Sequence, residues 1–157
     1  MKIGYDLENV VVVKAPCWLV WQIMCDIIHW PGTSPSLHLG TTGPGFGYTL
    51  KPLGLPIRVK AHITAIRDMQ LLAWSGRFWG VSSEVKMRFV IENARTTRII
   101  FSEKLSGLGL LLFSALFSMS KLTEINQSWL QSLTQHIEER ASQISCKSLP
   151  VTSVHDN

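Results

Sequence analysis

The chain has 157 residues, which is enough for one domain with a substantial core. Hydrophobic residues make up 46% of it and charged residues only 17%, against roughly 25% charged residues in average soluble domains. The net charge of +4 is mild and no long run of like charges occurs, so we expect no nucleic-acid partner. The excess of apolar residues indicates a large core, an interface or a ligand pocket.

Three groups of residues indicate the cellular compartment and whether a metal or cofactor is bound: the cysteines, the histidines and the N-terminal residues. Cys17, Cys25 and Cys146 form no CxxC pair and are odd in number, so we expect neither a disulfide framework nor a zinc site. The five histidines share no ligand spacing, and no P-loop or dinucleotide fingerprint occurs, so we expect no metal and no cofactor. Residues 1–13 do not resemble a signal peptide, which predicts a cytoplasmic protein.

The first predicted element is a strand over residues 5–13, which are rich in β-branched side chains. Pro16 then favours the start of a helix. Four residues of that helix recur at the spacing of one buried face: Cys17, Val20, Trp21 and Met24. We expect a second short helix before Trp30. Residues 31–47 are rich in glycine and proline and predict a loop, with a short strand around residues 36–39.

Residues 46–105 change to an alternating pattern that predicts four or five antiparallel strands in hairpin order. Within residues 57–66, and within 83–91 from Val85 onward, every second residue is apolar, and most of the residues between them are polar or basic. One face of the sheet should therefore pack in the core while the other faces water. This solvated basic face accounts for the basic isoelectric point without a charged partner.

After Gly107 the sequence predicts a single helix that ends near Ala141. Its expected inner stripe consists of Leu122, Ile125, Trp129, Leu133 and Ile137. The uncharged segment 107–119 is too short for a membrane span, which needs about 20 apolar residues, and we expect it to be a buried helix start or a lid. We expect one domain over residues 1–144 and a flexible polar tail over residues 145–157.

This order of elements predicts an α+β fold in which a curved antiparallel sheet of six to seven strands wraps around a long C-terminal helix. Two short helices should follow the first strand. One helix cannot fill the concave face of such a sheet. We therefore expect a hollow lined by apolar side chains, which suits a hydrophobic small-molecule ligand.

Several short motifs resemble the SRPBCC superfamily, which includes START lipid-transfer domains, birch-pollen-allergen-like proteins and polyketide cyclases. In chain order they are Ala15-Pro16 with Val20-Trp21, Cys25-Asp26, Trp30-Pro31, Leu72-x-Trp74-x-Gly76, GVSSEVKMRFVI, and Thr97 with Glu103 and Ser106-Gly107. The resemblance covers about residues 5–141 and points to the polyketide cyclase/dehydrase branch. It implies a helix-grip fold with a deep hydrophobic cavity. It does not imply one function, because members carry lipids, bind hormones or close polyketide rings.

Glu103 is the strongest candidate for a catalytic residue. On the last predicted strand, Ile99, Phe101 and Leu105 share an apolar phase, and Glu103 falls in that phase. A carboxyl group that faces a hydrophobic cavity has a raised pKa, which suits general acid or base catalysis near neutral pH. The alternatives are that the strand twists outward at this point or that Glu103 pairs with an arginine.

His29 is the second catalytic candidate, because it follows the first predicted helix near the expected cavity mouth and titrates near neutrality. Most single histidines have no catalytic role, so a structural role stays open. The expected ligand-binding residues are large side chains in inward phases: Trp21, Trp30, Tyr48, Trp74, Met87, Phe89, Phe101 and Trp129. Each of these is equally well explained as ordinary core.

The sequence leaves three functions open. The first is a cofactor-independent polyketide cyclase/dehydratase of secondary metabolism. The second is a non-catalytic carrier of a lipid or another hydrophobic metabolite. The third is an interaction module that uses segment 107–119 as a partner surface, which predicts a homodimer or a complex with a stable partner.

Overall fold

The structure is a computed structural model that describes residues 4–26, 33–34, 39–40, 43–50 and 55–147. In chain order these residues form β1 (Gly4–Val13), α1 (Cys17–Cys25), β2 (Thr33–Ser34), β3 (Leu39–Gly40), β4 (Gly43–Leu50), β5 (Ile57–Arg67), β6 (Leu71–Phe78), β7 (Val81–Asn93), β8 (Thr96–Ser106), α2 (Gly109–Leu116) and α3 (Met119–Lys147). The expected second short helix, and most of the loop before β4, lie outside the described residues.

The strands form one curved antiparallel sheet in the order β1-β8-β7-β6-β5-β4-β2, and the short β3 also pairs with β4. Strands β4 to β8 follow one another as a meander, and β1 returns to pair with β8 along its whole length. Six of the strands are long, and α3 packs across the sheet. This is the predicted α+β helix-grip architecture.

The predicted alternation of the meander is confirmed. On β5, Ile57 and Val59 are buried while Arg58 and Lys60 are exposed, and β7 alternates in the same way over residues 83–89. Ile91 was expected to continue the buried face of β7 and is 63% exposed, so that expectation is wrong. The pairing of β7 with β8 becomes irregular just after Ile91, next to the turn, and the strand leaves the core there.

The predicted continuous helix after Gly107 is also wrong, because two helices separated by a break take its place. Phe117 is extended (φ −133°, ψ 132°), and its buried ring packs back onto Phe113 with ring centroids 5.1 Å apart. Ser118 then caps the new helix, since its Oγ accepts a hydrogen bond from the amide of Lys121 at 3.3 Å. The second helix continues to Lys147, six residues past the predicted end.

The buried stripe of α3 is rotated slightly from the predicted one. The buried positions are Leu122, Asn126, Leu130, Leu133 and Ile137, whereas Ile125 and Trp129 are only half-buried. Asn126 therefore lies in the middle of an apolar stripe and faces the sheet. Among the described residues, no helix is long and apolar enough to cross a membrane.

Candidate functional site

A buried carboxyl group lies between the sheet and the C-terminal helix. Glu103 on β8 is 7% exposed and shares its inward phase with Ile99, Phe101 and Leu105. Its Oε1 accepts a hydrogen bond from Ser83 Oγ at 2.6 Å, and its Oε2 accepts one from Asn126 Nδ2 at 2.7 Å. Three separate elements, β7, β8 and α3, thus hold one carboxyl group in place.

Burial controls the electrostatics of this carboxyl group. Removal from water raises the pKa of Glu103 above its ordinary value, and the hydrogen bonds from Ser83 and Asn126 offset only part of that increase. Both donors favour the charged form, but the surrounding side chains are mostly apolar. The raised pKa suits proton transfer nearer neutral pH than an exposed glutamate would allow.

Tyr48 on β4 places its phenol near Glu103 and Ser83. Burial raises the pKa of Tyr48, and the negative charge of Glu103 raises it further, while polar contacts from Trp74 and Ser83 lower it in part. The phenol therefore keeps its proton and can act as a hydrogen-bond donor. Ser83 interacts with both Tyr48 and Glu103, which joins the phenol and the carboxyl group in one polar cluster.

Small residues on β6 and β5 face inward in register with Ser83. Gly76 is the Cα partner of both Ser83 on β7 and Ala61 on β5, and all three face inward. A Cβ at Gly76 would lie 2.7 Å from Val59 Cγ1, so the wall of the sheet has no room for a side chain there.

Aromatic rings surround the polar cluster. Trp74 packs against Phe46 and Phe101, with ring centroids 6.0 Å and 6.3 Å apart, and Phe101 packs against Trp129 at 6.1 Å. Further along the sheet the ring of Trp21 from α1 meets Phe89 edge-on at 5.4 Å. These edge-on and tilted contacts are the geometries that aromatic rings prefer.

The structure bears out the inward phase of Glu103 and assigns it partners other than an arginine. Among the predicted ligand-binding residues, Tyr48, Trp74, Phe101 and Trp129 lie around Glu103, and Met87 is the Cα partner of Phe101. Trp21 and Phe89 belong to the same core cluster but lie further from the carboxyl group. The two remaining candidates, His29 and Trp30, lie outside the described residues.

Sequence reasoning missed Ser83 and Asn126. The periodicity of the sequence places both residues on inward faces. Ser83 shares the inward phase of Val85, and Asn126 stands four residues from both Leu122 and Leu130 on the helix. A polar residue in an apolar phase requires a partner, and here two such residues serve the same carboxyl group. Asn9 on β1 is a third polar residue of this kind, 8% exposed and inward-facing.

A scan against protein-family models gave no match, and neither did a search among curated proteins. Solved structures do match over most of the chain. The Zhui aromatase/cyclase from Streptomyces sp. R1128 has 12% identity and a TM-score of 0.60, with 96% of this chain and 99% of that chain covered. A norcoclaurine synthase point mutant from Thalictrum flavum, in complex with a transition-state analogue, has 14% identity and a TM-score of 0.61, with coverage of 87% and 98%.

A START superfamily protein from Mycobacterium smegmatis is similar to the same degree, with 13% identity, a TM-score of 0.62, and coverage of 88% and 98%. At these identities the likeness concerns the fold. The three proteins share a sheet and helix arrangement with this chain over nearly their whole lengths. The chain therefore has the helix-grip fold that these structures share, as its sequence motifs predicted.

Proposed function

We propose that the chain binds an apolar, ring-forming small molecule between the sheet and α3, and that Glu103 transfers a proton during its cyclisation or dehydration. The observation that carries this proposal is the buried Glu103 carboxyl group, whose pKa is raised among aromatic rings. Carboxyl groups with desolvated, perturbed pKa values are enriched at functional sites. The similar structures include an aromatase/cyclase and a synthase, which supports a catalytic rather than a purely structural role.

The cluster offers a consistent proton-transfer scheme. The Glu103 carboxylate removes a proton from the carbon next to a substrate carbonyl, and the electron pair moves to the carbonyl oxygen as an enolate. Tyr48, which keeps its proton, donates a hydrogen bond to that oxygen. In a dehydration, the proton held by Glu103 then leaves with the substrate hydroxyl as water while the double bond forms. Ser83 and Asn126 hold the carboxyl group in position throughout.

The inward-facing side chains near the cluster keep some accessible surface. Tyr48, Ile63 and Trp129 are packed on the core but are only partly buried. This residual exposure supports an interior that a ligand can reach. His29 as a second proton-transfer group, Trp30 as a lining residue, and a cytoplasmic role in secondary metabolism remain part of the proposal.

The proposal is tested by proton exchange in 2-tetralone, an apolar bicyclic ketone with acidic protons next to its carbonyl. We expect the protein to accelerate deuterium uptake from D2O, measured by mass spectrometry, and Glu103→Gln to abolish that acceleration. The substituted glutamine keeps the size and most hydrogen bonds of the site but cannot accept the proton. Glu84→Gln on the outer face of β7 is the matched control and should exchange at the wild-type rate. Equal rates in the wild type and Glu103→Gln would remove Glu103 from the mechanism.

A non-catalytic carrier is the second candidate, and one observation favours it. Both carboxyl oxygens of Glu103 already accept hydrogen bonds from the protein, as in a purely structural network. Native mass spectrometry of protein purified from its own host would detect a bound hydrophobic molecule. Recovery of that molecule chemically unchanged after long incubation, with no exchange of 2-tetralone, would favour the carrier.

A further inference from the structure

We propose that one end of the domain docks on the surface of an anionic lipid membrane. The docking surface, here called the apical platform, consists of Trp79 in the β6–β7 turn together with Leu108, Leu111, Leu112 and Leu116 on and beside α2. Only one consequence of this docking rests on the proposed function, namely that the bound small molecule comes from the lipid phase. The docking itself is independent of any catalysis.

Helix α2 is apolar on both faces. Leu110 and Phe113 on its inner face are buried, as expected for a packed helix. Its outer face should then be polar, but Leu108 is 84% exposed and Leu111, Leu112 and Leu116 are 54% to 58% exposed. Neighbouring leucines that project this far into water indicate an apolar binding surface.

Trp79 extends this surface at a cost in backbone energy. Phe78 and Val81 are paired, so Trp79 and Gly80 form a two-residue turn, and both have positive φ angles, of 46° and 73°. This type I′ turn normally has asparagine or aspartate before the glycine, and a bulky residue is rare there. The Trp79 side chain is nevertheless 46% exposed. A strained position that displays an exposed indole points to a role for that indole.

The turn and α2 are locked together as one rigid surface. The amide of Gly109 donates a hydrogen bond to Gly80 O at 3.2 Å. A Cβ at Gly109 would collide with Trp79 O, and one at Gly107 would collide with Gly80 O. The ring of Trp79 also lies 6.5 Å from that of Phe117, at the end of α2. The exposed side chains are therefore presented in a fixed arrangement.

The charges next to the platform favour an anionic lipid surface over a second copy of the chain. Lys60 on β5 and Arg77 on β6 are exposed Cα partners, and Arg58 lies beside them on the same outer face. Neither β5 nor β6 contains an acidic residue, so this like-charge pair has no counter-ion on its own strands. A second copy would bring the same positive charges, whereas anionic headgroups complement them.

The platform also lies next to the candidate site. Leu110 and Phe113, on the inner face of α2, belong to an apolar cluster that packs against Tyr48. A hydrophobic molecule that leaves the lipid phase at the platform would therefore need to pass only this thin apolar layer. The arrangement fits a ligand that partitions into membranes.

Vesicle flotation of the full chain tests the docking. We expect the wild type to float with vesicles of phosphatidylcholine and phosphatidylglycerol, and to bind pure phosphatidylcholine vesicles less well. The double variant Leu111→Gln/Leu112→Gln and the single variant Trp79→Asn should each weaken the partition about ten-fold or more. Asparagine is the residue that this turn normally has before the glycine, so we expect Trp79→Asn to stay folded, and urea denaturation of the variant checks this. Raised salt should weaken wild-type binding because headgroup attraction is screened.

Two controls separate this proposal from its alternatives. Ile91→Gln removes an equally exposed apolar side chain at the opposite end of β7 and should float like the wild type. Glu103→Gln should also float normally, so failure of the catalytic proposal leaves this one intact. Failure of the wild type to float, or equal flotation of the platform variants and the wild type, would overturn the proposal. A stable dimer that the platform variants dissociate would assign the surface to a second copy and would overturn it as well.

Discussion

Ser83 Oγ donates a hydrogen bond of 2.6 Å to Glu103 Oε1 from the neighbouring strand β7. The two residues are not direct Cα partners, since Ser83 pairs with Leu105 and Glu103 pairs with Val85. The bond therefore runs diagonally across the inner face of the sheet, where side chains two residues apart point the same way. Because both groups are buried, this contact affects the charge of the site more than an exposed contact would.

Ser83→Ala should raise the pKa of Glu103 further, because it removes a donor that stabilises the carboxylate. We expect the ascending limb of the pH–rate profile for 2-tetralone exchange to move to higher pH, with about 1 kcal/mol lost from the free energy of unfolding. Ser102→Ala, on the outer phase of β8, is the control. A profile that does not move would show that Ser83 does not tune the carboxyl group.

The free energy of unfolding should fall as pH rises from the pKa of an unfolded glutamate toward the higher pKa of the buried Glu103. Glu103 has a higher pKa in the folded protein than in the unfolded chain, where the pKa of a glutamate is about 4.3. Between these two pKa values the folded state binds more protons, so stability decreases with rising pH and levels off above the folded pKa. Urea denaturation across pH should show this decline in the wild type. If Glu103→Gln declines equally, another group is responsible.

Gly109→Ala should destabilise the protein by about 2 kcal/mol or more, because overpacking against backbone atoms cannot be relieved by a side-chain rotation. The added Cβ would meet the carbonyl oxygen of Trp79 and would lie 2.7 Å from Gly80 C. Gly4→Ala is the control, since its Cβ would meet only Leu105 O at an ordinary 3.5 Å. Urea denaturation measures both. Equal stability of the two variants would contradict the locked contact between the turn and α2.

Asn9→Leu should increase the free energy of unfolding by about 1 kcal/mol in the ligand-free protein. Asn9 is inward-facing on β1, and its buried Nδ2 has no hydrogen-bond partner among the residues that the structure describes. Replacing an unsatisfied amide by an apolar side chain of similar size removes a desolvation penalty. Thermal or urea denaturation checks this. A loss of stability on the same substitution would show that the amide is paired in solution.

The strand phases and most of the architecture follow from the sequence alone, because alternating patterns are local. The run from Ile57 to Ala61 and the placement of Glu103 with Phe101 follow from a period of two residues, which any pleated strand imposes. The motif resemblance likewise predicted the helix-grip fold that the similar structures share. These features need no knowledge of which strands are neighbours.

Which residues come into contact depends on how distant segments of the chain pack together. Ser83 and Asn126 are 20 and 23 residues from Glu103 in sequence, and their contacts depend on strand register and on the rotation of α3. The break at Phe117 likewise depends on a ring that packs back onto Phe113, which outweighs the helical preference of the surrounding residues. Partners of this kind are set by packing energies between distant segments, and such energies leave no local pattern in the chain.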